Sequence, residues 1–75
     1  MYVTLSNDDP FGNNVRVVDN NAGGTVVHNG YIDAHGQVDL TIRANDSGYG
    51  NITTFQDTNP GIGRSLLHDG DRISL

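Results

Sequence analysis

The chain has 75 residues, with nine Asp, four Arg, no Glu, no Lys and no Cys, for a formal net charge of −5. That length holds one small domain, spanning 1–75, and four scattered Arg against nine Asp disfavour a nucleic-acid binder, which must neutralise phosphates. The missing cysteines exclude a disulfide framework and a Cys-ligated zinc site.

Short β-branched runs separated by Gly, Asn and Asp clusters predict strands at residues 2–6, 14–19, 25–28, 31–33, 37–44, 51–55, 64–68 and 72–75. No stretch carries apolar residues at helical spacing. The predicted class is all-β, a small antiparallel β-sandwich or barrel of about six to eight short strands. In chain order, the first strand leads into a 7–13 loop with Phe11 near its tip. Asn29-Gly30 then predicts a type I′ hairpin turn between 25–28 and 31–33. Ala34-His35-Gly36 reads as a three-residue loop with Gly36 left-handed and Asp33 opposite Gln37. This register puts Val27, Ile32, Val38, Leu40 and Ile42 on one face, and His28, Tyr31, Asp33, Asp39, Thr41 and Arg43 on the other. Tyr49 and Ile62 sit near the tips of the 45–50 and 56–63 loops. Asp69-Gly70 predicts a closing hairpin in which Leu66 faces Ile73 and Arg64 faces Leu75. Leu66 then points to the core and Leu67 to a contact surface.

Val, Ile, Leu and Phe number 19, enough for a thin core. A domain of this size buries only about 60% of its unfolded surface. Without a disulfide, such a core gains from a metal, self-association or attachment to a larger surface.

The chemistry-bearing residues are sparse. His28, Tyr31 and Asp39 form one cross-strand row on the polar sheet face, with neighbouring Cβ atoms about 5 Å apart. No Ser or Cys nucleophile accompanies them, so no catalytic residue is assigned and no enzyme is expected. His28, His35 and His68 lack the spacing of a zinc motif. Calcium fits an Asp- and Asn-rich chain better. Its weak candidates are Asp8, Asp9 and Asp46, and no cofactor other than calcium is expected. Gly48-Tyr49-Gly50 and Gly61-Ile62-Gly63 lack the following helix of a phosphate loop.

Residues 15–30, a strand, a turn and an Asn-Gly reversal, resemble the strand-turn-strand of forkhead-associated domains. The tail Leu67-His68-Asp69-Gly70-Asp71-Arg72-Ile73 resembles the family's closing Gly-Asp strand. Together the two pieces cover about a third of the chain. The family's early Gly-Arg and its Ser-x-x-His phosphate motif are absent, so no phosphothreonine-binding residues carry over.

The leading expectation is a non-catalytic structural or interaction protein acting in an assembly, with a protein partner or a homo-oligomer. A virion accessory subunit that decorates or cements a capsid is a protein of this kind. Its partner contacts would be Phe11, Tyr49, Ile62, Leu67 and Leu75, and strands 2–6 and 72–75 would be open edges. The alternative is a small calcium- or carbohydrate-binding β module. No signal peptide or membrane span is visible in the sequence, and the compartment stays open.

Overall fold

Alternation along each strand sends every second side chain to the same side, and this decides where the strands pack. The computed structural model describes every residue except Thr58, which lies in the predicted 56–63 loop. The described residues form seven strands: β1 (Tyr2–Ser6), β2 (Asn13–Asp19), β3 (Thr25–Ile32), β4 (Gln37–Thr41), β5 (Gly50–Gln56), β6 (Ile62–Leu67) and β7 (Arg72–Ser74). The only helical element among them is a 3₁₀ turn at Asn20–Ala22. The all-β expectation therefore holds.

The strands form two sheets. One has three strands in the order β4-β1-β7, the other four in the order β3-β2-β5-β6, and no ladder joins them. All neighbours are antiparallel except β1 and β7, which run parallel with Leu5 opposite Ile73. One cluster of buried side chains draws on both sheets: Val3, Leu5, Leu40 and Ile73 from the first, and Val15, Val17, Ile32, Ile52 and Leu67 from the second. Ile42 completes it just beyond β4.

Both predicted hairpins are corrected. Thr25–Ile32 is one unbroken strand, so Asn29-Gly30 makes no turn. It pairs with β2 from Asn13↔Ile32 to Asp19↔Thr25. The reversal occurs earlier, where Asp19 Oδ1 accepts the Asn21 amide and Gly23 and Gly24 take positive φ of 68° and 81°. Two consecutive glycines make the left-handed turn cheap, and the long ladder that follows outweighs the turn preference of Asn-Gly. Gly70 does turn, with φ of 88°, but the chain crosses there from one sheet to the other. Hence Leu66 does not face Ile73, nor Arg64 Leu75.

The turn after β3 also crosses between sheets, so Asp33 does not pair with Gln37. The left-handed residue is His35, at φ 57°, not Gly36. The five apolar residues assigned to one face nevertheless reach one core. Ile32, Leu40 and Ile42 are buried, and Val27 and Val38 are half-buried against them. Strand 2–6 is central rather than an open edge, while β7 is an edge. The predicted strand 37–44 ends at Thr41, beyond which Met1 and Ile42 bond each other's backbone.

Candidate functional site

The outer face of the four-stranded sheet follows from the alternation of β2. Asn13, Val15, Val17 and Asp19 point inward and are buried, so Asn14, Arg16 and Val18 point outward. Residues directly opposite one another share a face. Asn14 therefore brings out Tyr31, Arg16 brings out Asn29 and Phe55, and Val18 brings out Val26 and Thr53. On β3 the ladder slips by one residue, with Val17 opposite His28 but Val18 opposite Val26. This bulge puts Val26 and Tyr31, five residues apart, on the same side of one strand.

Tyr31 is 60% exposed and Val26 49%. The Tyr31 ring lies across Gly12, where a Cβ would fall 1.9 Å from its Oη, so only glycine permits this seat. Phe11, 61% exposed, precedes that glycine, and its carbonyl accepts a hydrogen bond from Asn7 Nδ2 at 3.0 Å. The same amide reaches the carbonyls of Ile32 and Asp33, both at 3.1 Å. One fully buried asparagine thus fixes the Phe11 loop to the end of the strand that carries Tyr31.

Beside this pair, the Arg16 guanidinium lies 4.4 Å from the Phe55 ring centroid, in cation–π contact. Gly61 allows Phe55 its place, since a Cβ there would meet the ring at 2.5 Å. Asn14, Val15, Arg16, Asn29, Phe55 and Asp57 line a shallow cavity of about 330 Å³. Among the described residues no carboxylate pairs with Arg16. Its flat fork of donors therefore borders the cavity with hydrogen-bonding capacity to spare.

The structure separates the predicted polar row. His28 and Tyr31 lie on β3 of one sheet, but Asp39 lies on β4 of the other, where it accepts from Thr4 Oγ1 at 2.9 Å. Among the described residues, the one His–carboxylate contact is His68 Nδ1 to Asp71 Oδ2 at 3.7 Å, on an open turn. The calcium candidates are not gathered either. Asp8 accepts from Ser6 Oγ and Asp9 from Asn13 Nδ2, while Asp46 belongs to a different loop. No three His, Cys, Asp or Glu side chains among the described residues are grouped to hold a metal. The Ser6 hydroxyl, followed by that of Ser74, holds the Asp8 carboxyl below the usual carboxylate range, with Arg72 and His35 adding to the effect.

Of the predicted contacts, Phe11 and Ile62 are exposed, whereas Tyr49 is half-buried with its ring edge-on to His68 at 5.1 Å. Leu67 is corrected. One residue of β5, Asn51, faces two of β6, Ser65 and Leu66, between Gly50↔Leu67 and Ile52↔Arg64, and Leu66 takes φ 57°. That bulge reverses the two leucines, leaving Leu66 66% exposed and Leu67 buried. Leu75 is half-buried against the core. Sequence reasoning takes Phe55, with Tyr31 and Tyr49, as an aromatic compatible with a sugar site, but overlooks Arg16, Asn14, Asn29, Asp57 and Val26. For Arg16, Asn14 and Asn29 the signal is present, because the alternation of 13–19 points Asn14 and Arg16 outward and antiparallel pairing then aligns their neighbours.

No protein-family model matches this chain, and comparison with curated proteins and with solved structures finds no match to it. No helix among the described residues is long and apolar enough to cross a membrane.

Proposed function

We propose that this chain is a non-catalytic interaction protein that works in an assembly, and that its two sheets, sharing one core, are the layers of a small open sandwich. A subunit decorating a virion shell belongs to this class. The observation that carries the reading is the outer face of the four-stranded sheet. There Val26 and Tyr31, with Phe11 in the loop that leads into β2, hold about half or more of their surface in water. They do so on a framework built to keep them there, with Gly12 seating Tyr31 and Asn7 tethering Phe11. Exposed apolar side chains held along one rigid sheet face support an interaction surface there. Sedimentation velocity from micromolar to millimolar protein tests the reading. The expected result is a sedimentation coefficient that rises with concentration. A strictly monomeric boundary throughout overturns it.

A second reading, a carbohydrate-binding module, is favoured by the cavity beside Tyr31. Two amides, a guanidinium and a carboxylate around an aromatic ring are the hydrogen-bonding set that polyhydroxylated rings require. Titration calorimetry guided by a glycan array tests it. Binding that is lost in Arg16→Ala supports the module, and flat responses across the array remove it.

A further inference from the structure

The four-stranded sheet ends in two edges of opposite character. β6 is short of pairing capacity. It carries Gly63, follows Pro60-Gly61, and is broken by the left-handed Leu66. A proline at the entry and a left-handed break blunt an edge, whereas the bulge of β3 leaves it one strand with no residue at positive φ. β3, at the other side, is the longest strand, with eight residues, Thr25-Val26-Val27-His28-Asn29-Gly30-Tyr31-Ile32. It contains no Pro, Asp or Arg. The other edge strands each carry a formal charge: Asp39 on β4, Arg64 on β6 and Arg72 on β7. Among the described residues, β3 is thus the one sheet edge without the charges that ordinarily prevent strand pairing.

We propose that β3 is the seam of a two-fold dimer, pairing antiparallel with β3 of a second copy to join two four-stranded sheets edge to edge. This rests on the assembly reading above and names its partner. The argument is self-complementarity. With the two-fold axis at Asn29, Val27 and His28 of each chain together lie opposite Gly30 of the other, and beyond this bulge Val26 lies opposite Tyr31 and Thr25 opposite Ile32. Residues five apart on a regular strand point to opposite sides and could not meet in this way. Here the bulge between Val17 and Val18 has already turned Val26 and Tyr31 to the same side, so each exposed valine meets an exposed tyrosine. Aromatic side chains beside β-branched ones are favourable cross-strand pairs, and the symmetry supplies two of them. Charge points the same way. Two copies of net charge −5 repel, and a seam free of formal charge is where they approach at least cost.

The chain has no cysteine, which makes the register directly readable. In the double variant Val26→Cys/Tyr31→Cys, each introduced thiol faces its counterpart on the other copy. Within one chain the two lie about 17 Å apart and cannot bond. Mild oxidation is expected to convert the double variant to a covalent dimer on a non-reducing gel, while Val26→Cys and Tyr31→Cys alone remain largely monomeric. In parallel, Val26→Lys, on an exposed side chain, is expected to weaken self-association by about tenfold or more with unchanged circular dichroism. Single-cysteine variants that cross-link as readily as the double one overturn the seam, as does a double variant that stays monomeric. Self-association of the native chain left intact by Val26→Lys also overturns the seam but leaves the assembly reading standing. A native chain monomeric to millimolar concentration overturns both.

Discussion

The two sides of the four-stranded sheet invert the usual rule in opposite directions. On the inner side polar groups are buried: Asn13 and Asp19 from β2, with Asn7 packed beside Asn13. On the outer side Val26 and Tyr31 are exposed. The buried groups are matched within the chain. Asn7 spans three carbonyls through Nδ2, and its Oδ1 accepts from the Asp9 amide and Asn13 Nδ2. Asp19 accepts from the backbone amides of Asn21 and Arg43. The exposed apolar residues have no such completion. The inner inversion therefore belongs to folding, and the outer one is the surface on which the proposed assembly rests.

The sharpest way to break this contrast is to unmatch the inner side. Asn7→Ala strands the buried end of the β3 carbonyl row and frees the Phe11 loop. It is expected to lower unfolding stability by about 2–4 kcal/mol, since several buried polar atoms lose their partners at once. Urea unfolding followed by circular dichroism measures this. Asn7→Asp keeps the shape and the acceptor but replaces the donor with a second acceptor, so it is expected to cost at least as much. A loss of under about 0.5 kcal/mol, as is usual for surface positions, in either variant would show that the buried amide is not the brace described.

Gly12→Ala probes the outer side. The new methyl group collides with the end of the Tyr31 ring, which can swing into solvent. Stability is expected to fall by less than about 1 kcal/mol, because a flexible, exposed side chain yields easily. Self-association is expected to weaken, because Tyr31 leaves its seat. Sedimentation and urea unfolding on the same sample separate the two effects. Equal loss in both would make Tyr31 a folding residue and erase the contrast.

Periodicity made the core legible, and short turn motifs misled. Val27, Ile32, Val38, Leu40 and Ile42 converge on one core because alternation is a property of each strand, independent of which strand lies beside it. Partnership is different. Asn29-Gly30 favours a turn locally, but it competes with a ladder along the whole of β2, and the longer pairing prevails. Asp69-Gly70 does turn, yet a local reversal does not specify whether the chain returns to the same sheet. The outer face was half legible. Arg16 beside Asn29 and Phe55 follows once the β2–β3 and β2–β5 pairings are known. The shared direction of Val26 and Tyr31 comes from a bulge, and the exchange of Leu66 for Leu67 comes from another. Neither leaves a mark in the pattern of apolar residues, because a bulge is an extra residue whose position depends on the partner strand.

The smallest expected effect tests whether the inner matching extends to the rim of the three-stranded sheet. Ser6, itself buried, donates to Asp8 Oδ1 at 2.6 Å and receives a hydrogen bond from Arg72 Nη2 at 3.0 Å. The Asp8 carboxyl is held below its ordinary range chiefly by that hydroxyl. A carboxylate whose folded value is depressed contributes stability above the unfolded value. That contribution disappears as the pH falls through the lowered folded value. Ser6→Ala is therefore expected to raise the titration midpoint of Asp8, read by carboxyl-carbon NMR, and by this route to lower stability above the unfolded value while leaving it unchanged below the folded one, so that the acid side of the stability profile flattens. Ser74→Ala should move the midpoint the same way by less, since its hydroxyl is the second contributor. An Asp8 midpoint that stays put in Ser6→Ala but moves in Arg72→Gln would assign the depression to charge instead. In that case the serine serves to position Arg72, which also donates to Gln37 Oε1 at 3.0 Å and so ties β7 to β4 across the top of β1.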